Sequence, residues 1–246
     1  MHHVEDNMAK KHGKKYLEAA KKVDESKLYA PADAIRLVKE TSYTKFDGSV
    51  EVHLRLGIDP RQADQNIRST VALPHGTGKT VRVLVFAQGD AAVAAREAGA
   101  DFVGADELIA QIDRENFFDF DIAIATTDMM AKVGRVARKL GPRGLMPNPK
   151  SGTVVAGDDL ARTIKEVRGG RVEFRNDKTG LLHVAVGKVS FTDEQITQNI
   201  ASLMESVKAT KPSSIKGTFV RSVTFTSTMG PGIAVDPTAA QAMSTN

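Results

Sequence analysis

VRVLVFAQGDAAVAAREAGADFVG, residues 81–104, reads as an apolar strand, an alanine-rich helix from Ala91 to Ala98 and a second short strand, DFVG at 101–104. Strands without polar alternation are covered on both faces, and a helix between two of them sets them parallel. The same order continues with a helix from Asp106 to Ile112, the strand DIAIAT at 121–126 and a helix from Met129 to Leu140. A small doubly wound, Rossmann-like α/β domain is therefore expected over residues 76–169. Before its last helix, Asp158 to Val167, comes LGPRGLMPNPKSG at 140–152, whose glycine and proline density excludes helix and strand.

Outside that block the pattern changes. Val50, Val52, Leu54, Leu56 and Ile58 alternate with Glu51, His53 and Arg55, the period of a strand buried on one face and wet on the other. RVEFR at 171–175, LLHVAV at 181–186 and TFVRSVTFT at 218–226 carry the alternation and hairpin signs of an antiparallel sheet, with a helix from Thr192 to Lys208 between the last two. Tyr16 to Val23 and Pro31 to Glu40 read as helices, the second with Pro31 in its first turn and Ile35, Leu37 and Val38 as apolar contacts. Residues 1–75 and 170–246 are thus expected to form one split α+β domain around the inserted doubly wound one. Gly76 and Gly78 on one crossing, with Gly169 and Gly170 on the other, suit a hinge because glycine tolerates dihedral changes that other residues resist.

The chain has 246 residues, 41% of them hydrophobic, enough for real cores. No apolar run approaches the roughly 18 residues of a membrane helix, and a cytoplasmic location with no membrane partner is expected. The opening MHHVEDN differs in character from the lysine-rich residues after it, and MAKKHGKKY from Met8 reads as a second start. Absence of cysteine excludes disulfides, thiolate zinc sites and cysteine nucleophiles. The net charge of +4 is unevenly placed: residues 76–169 hold 13 Lys+Arg and 13 Asp+Glu, leaving 21 and 17 for the flanks. Lys10, Lys11, Lys14, Lys15, Lys21 and Lys22 form the densest cluster, either a solvated helix face or a phosphate-contacting one. With 5% aromatic residues and no Trp, a base-stacking platform for single strands is disfavoured against folded or duplex RNA.

The enzyme readings fail on spacing. GTGKT at 76–80 resembles a phosphate loop, but Leu73 stands where GxxxxGK[ST] needs its first glycine, and the segment precedes a strand instead of joining a strand to a helix. The turn after the strand at 81–87 has no GxGxxG, so the doubly wound pattern implies no dinucleotide. His12, His53, His75 and His183 sit at no metal-ligand spacing, and His2 and His3 lie in the unusual opening. No catalytic residue, metal or cofactor is expected.

RNA-compatible signals gather on the split domain. FRNDKTG at 174–180 is a turn between strands on which Arg175 and Lys178 offer cations to phosphate, with His183 and Lys188 continuing the basic face. Ser222, Thr224 and Thr226 share one face of a strand ended by STMGPG at 227–232, where small residues permit close backbone approach. Lys45, Phe46 and Asp47 bring a cation, a ring that stacks or joins the core, and an acceptor.

Four long segments in order carry a resemblance: KFDGSVEVHLRLGIDPRQADQNIRSTVALPHGTGK, LGPRGLMPNPKSGTV, GRVEFRNDKTGLLHVAVGK and KGTFVRSVTFTSTMGPG. Together they resemble the bacterial ribosomal protein L-one family, from about Met8 to Gly232. The resemblance implies a two-domain, non-enzymatic protein, monomeric within the ribosome, that binds large-subunit ribosomal RNA and heads a mobile stalk beside the exit site for deacylated tRNA. It also implies repression of its own operon's messenger RNA through a similar RNA fold. Carried over, the RNA surface comprises Lys45, Phe46, Ser49 and Glu51, then Arg175, Asp177, Lys178 and His183, and finally Thr226, Thr228, Met229 and Gly230. The carboxylates Glu51 and Asp177 would serve specificity by accepting hydrogen bonds from 2′-hydroxyls or base amino groups. The segment from Gly141 to Gly152 either faces tRNA or packs on its own domain.

Overall fold

A computed structural model describes residues 12–244; the expectations on His2, His3, Met8, Lys10 and Lys11 lie outside the described residues. In chain order the helices are α1 (Lys14–Ala20), α2 (Pro31–Glu40), α3 (Asp90–Glu97), α4 (Asp106–Arg114), α5 (Met130–Val133), α6 (Ala137–Leu140), α7 (Leu160–Arg168), α8 (Asp193–Ala209) and α9 (Pro237–Ala242). The strands are β1 (Ser49–Leu56), β2 (Arg68–Ala72), β3 (Val83–Phe86), β4 (Phe102–Gly104), β5 (Ile122–Thr126), β6 (Val154–Val155), β7 (Arg171–Arg175), β8 (Leu181–Lys188), β9 (Val220–Ser227) and β10 (Ile233–Val235). The chain divides into two compact units. The first takes the described residues through Ile67, Leu73–Thr77 and Phe174 onward; the second takes Arg68–Ala72 and Gly78–Glu173.

In the first unit β1 lies between β8 and β9, in a four-stranded antiparallel sheet of order β10-β9-β1-β8. The alternation of β1 sends Val50, Val52, Leu54 and Leu56 into the core, each at most 3% exposed, while Ile58 lies past the strand end. Helices α2 and α8 cover that face with Ala34, Ile35 and Val38 from one and Ile196, Ile200, Leu203 and Met204 from the other. Burying each large aliphatic side chain stabilises the unit by about 1.5–3 kcal/mol. Helix α8 starts at a capping box, in which the Thr192 hydroxyl accepts from the Gln195 amide and the Gln195 side chain accepts from the Thr192 amide. Its Asn199 is fully buried. The side-chain amide donates to the carbonyls of Gly76 and Val186, and its oxygen accepts from the His75 amide.

RVEFR departs from expectation. As β7 it pairs with β2, a strand not foreseen, and not with the four-stranded sheet. The Arg171 guanidinium donates to Thr70 and Glu166, which ties the start of β7 to residues of the second unit. Residues 68–72 and 170–173, expected in the split domain, accordingly group with the second unit. Gly78 opens a segment of that unit, Gly76 belongs to the first, and Gly169 and Gly170 precede the return at Phe174.

The second unit is the doubly wound one, a parallel sheet of order β4-β3-β5-β6. Strand β3 is buried on both faces: Leu84 and Phe86 join Leu108, Ile109 and Ile112 of α4, while Val83 and Val85 join Ala95 of α3 and Leu160, Ile164 and Val167 of α7. The helix expected from Met129 to Leu140 is interrupted. Helix α5 stops at Gly134 and a 3-10 turn over Gly134–Val136 separates it from α6. Segment 140–152 is also not a plain loop, since it closes 3-10 turns at Gly141–Arg143 and Pro149–Ser151, each ended by a glycine at positive φ, Gly144 at 72° and Gly152 at 62°. Among the described residues no helix is long and apolar enough to cross a membrane.

Candidate nucleic-acid interface

Three segments of the first unit meet at one end of the β1 ladder. The backbone amide of Thr228 donates to the Ser49 carbonyl at 2.9 Å, and the Ser49 amide donates to the Thr228 hydroxyl at 2.8 Å. This pair locks the end of β9 to the start of β1. On the other side the Val189 amide donates to the Gly48 carbonyl, and the Asp47 carboxylate accepts from the amide and hydroxyl of Ser190. Lys188 donates to the Ser49 hydroxyl at 3.0 Å. The segment that carries Lys45 and Phe46 is thus pinned where it enters β1, while Lys45, Phe46 and Met229 point into solvent, Phe46 60% and Met229 68% exposed.

The wet face of the sheet continues from there. Strand register sets Glu51 opposite Thr226, and His53 opposite both His183 and Thr224. His53 Nδ1 lies 2.7 Å from His183 Nδ1. Glu51 approaches the far nitrogen of His53 at 3.7 Å, and Asp177 the far nitrogen of His183 at 3.8 Å. Glu51, His53, His183 and Asp177 form one continuous polar line across two strands and a turn. Burial lowers the His53 pKa, the His183 ring acts in the same direction, and Glu51 opposes them. Among the described residues no group of acidic or histidine side chains is arranged to hold a metal ion.

Asp177 also builds the turn. Its carboxylate accepts from the amides of Thr179 and Leu181, each at 2.8 Å, and from the Thr179 hydroxyl. The Leu181 amide is the leading cause of a lowered Asp177 pKa, with the Thr179 bonds and the charge of His183 adding to it. Arg175 and Lys178 are exposed on this turn and form no ion pair among the described residues. At the end of β9 the Thr226 hydroxyl lies within 3.2 Å of the carbonyls of Ser227, Gly230 and Pro231. The Gly230 amide closes the turn onto the Ser227 carbonyl at 2.8 Å.

Residues 38–231 match the model of the Ribosomal protein L1p/L10e family. The chain belongs to this family. Among its similar proteins are the large ribosomal subunit proteins uL1 of two strains of Chloroflexus aurantiacus and of Chloroflexus aggregans, each 75% identical over 231 residues covering 94% of this chain and 98% of the relative. A member of a ribosomal-protein family is a structural protein, so the enzyme question is answered in the negative.

In this family member all twelve residues carried over by resemblance lie in the first unit. Sequence reasoning left two neighbours out. His53 is visible as a wet-face residue of β1, but its pairing with His183 depends on a register between residues 130 apart in the chain. Tyr43 carries no motif, yet its hydroxyl donates to the Met229 carbonyl at 2.7 Å.

Proposed function

We propose that this chain is a protein of the large ribosomal subunit, working in the cytoplasm, whose first unit binds folded ribosomal RNA at the mobile stalk. The observation that carries the reading is the placing of exposed apolar and cationic side chains around one hydrogen-bonded junction. Four large hydrophobic side chains are exposed among the described residues, Leu28, Phe46, Val93 and Met229, and two of them flank this junction. Beside them stands the cation Lys45, and from this end the polar line from Glu51 to Asp177 runs along the sheet to the turn at the other end of β1, next to which Arg175 and Lys178 are exposed. Cations address phosphates, while carboxylates, imidazoles and hydroxyls suit 2′-hydroxyls and base edges. Names of the relatives place those proteins in the large ribosomal subunit and agree with the reading.

The finer roles extend the same reading. Repression of the chain's own operon messenger RNA uses the same surface on a similar RNA fold. Assistance to the release of deacylated tRNA from the exit site is assigned to the second unit, where Arg135 on the turn between α5 and α6, Arg138 on α6, and Arg143 and Lys150 on the segment after it are exposed. The hinge is assigned to Gly76, Gly78, Gly169 and Gly170; three of these have positive φ, at 64°, 70° and 106° for Gly76, Gly78 and Gly170.

The test is binding to a stalk-base fragment of large-subunit ribosomal RNA across a salt series, with Met229→Ala and Lys178→Ala beside the parent. Tight, salt-weakened binding is expected, and Lys178→Ala should flatten the log–log salt slope by about one. Binding no tighter than to unrelated RNA would refute the reading. Co-sedimentation with large subunits separates a ribosomal protein from a free regulator that uses the same face.

A further inference from the structure

We infer that Tyr43 is a positioning residue of this RNA surface, holding Met229 in the backbone conformation that presents its side chain to RNA; the inference rests on the proposed RNA-binding function. Met229 has φ of 65°, a left-handed conformation that a methionine side chain does nothing to favour. The only other non-glycine residue at positive φ among the described residues is Asn116, of a type that tolerates it. The conformation of Met229 must therefore be imposed by its surroundings.

Those surroundings are specific. Thr228, the residue before, is tied to Ser49 by an amide-to-carbonyl and an amide-to-hydroxyl bond. The peptide plane after Met229 is held from both of its polar atoms: the Gly230 amide donates to the Ser227 carbonyl at 2.8 Å, and the Met229 carbonyl accepts from the Tyr43 hydroxyl at 2.7 Å. Tyr43 lies between α2 and β1, on the same segment as Phe46, so one phenol couples the two loops that expose the large apolar side chains. Met229 is 68% exposed and has little packing of its own to aim it. Its direction is set by its backbone, and the backbone by that peptide plane. A side chain aimed before RNA arrives loses less freedom on binding.

Removal of the hydroxyl alone tests this. Affinity for the stalk-base RNA fragment is measured for the parent, Tyr43→Phe, Met229→Ala and the double variant. The methionine ε-methyl resonances of the free parent and Tyr43→Phe are recorded beside it, with Met229 assigned by its loss in Met229→Ala. Tyr43→Phe should bind about three- to tenfold more weakly, the range of one lost hydrogen bond. The salt slope should not change, since no phosphate contact is lost, and the Met229 methyl signal should move and broaden. In the Met229→Ala background the second substitution should add nothing, a non-additivity that general loosening of the fold does not produce. Parent-like affinity or an unmoved methyl signal in Tyr43→Phe overturns the inference, as does an equal loss in both backgrounds, which would place the hydroxyl's action elsewhere. If the parent binds the fragment no better than unrelated RNA, the functional reading itself falls and takes this inference with it.

Discussion

A carbonyl, an amide and a hydroxyl decide the shape of the turn after β9, and Gly230 shows how little room is left there. A Cβ at this position would meet the Ser227 hydroxyl closer than real contacts allow, and the Ser227 carbonyl at 3.2 Å. Gly230→Ala should therefore cost about 1–3 kcal/mol, the usual range for overpacking, read as a lower urea midpoint at unchanged m-value. A midpoint equal to the parent's would mean that the turn yields freely. His53 supplies a pH dependence of definite sign. Burial, helped by His183, lowers its pKa in the folded chain, so below the unfolded value of about 6.5 the unfolded state takes up a proton that the folded state resists. Stability should fall as the pH drops from 7.5 to 5.5, and His53→Gln should flatten that fall in a pH series of urea titrations. Neither residue's role was legible from spacing alone. Gly230 stands within the STMGPG motif, but its reason is a contact with Ser227, and the lowered His53 pKa comes first from burial in the folded sheet and then from the cross-strand partner His183.

At the scale of elements, strong periodicity told true and short segments did not. The alternation over Val50 to Leu56 and the Pro31 start of α2 appear where expected, because each is a local pattern long enough to choose its own period. The two residues of β6 have no period to read, and β2 gains its partner β7 only through folding. The helix expected over Met129 to Leu140 failed at Gly134, where lost side-chain packing and backbone freedom let 3-10 geometry intervene. Helix α8 offers the cleanest element-scale test. Thr192→Ala removes the acceptor for the Gln195 amide and should destabilise the protein by about 1 kcal/mol, a fall of about 2–4 °C in Tm. A smaller shift would assign the helix start to packing of Ile196 and Ile200 rather than to the cap.

For the whole molecule, two units with separate cores set a test of cooperativity. The chain has three tyrosines, Tyr16, Tyr29 and Tyr43, all in the first unit, and no tryptophan. Tyrosine fluorescence thus reports on the first unit, while far-ultraviolet circular dichroism reports on both. Non-coincident urea transitions by the two probes are expected from units that melt separately; superimposable curves would mean one cooperative transition. The split architecture has a further consequence during synthesis. The strands and helices of the sheet β4-β3-β5-β6 are complete once Arg168 has been made, but β1 must wait for β8 at 181–188 and β9 at 220–227. As the chain grows, the middle folds first, and β1 is carried along with both edges unsatisfied, open to wrong partners until its neighbours emerge.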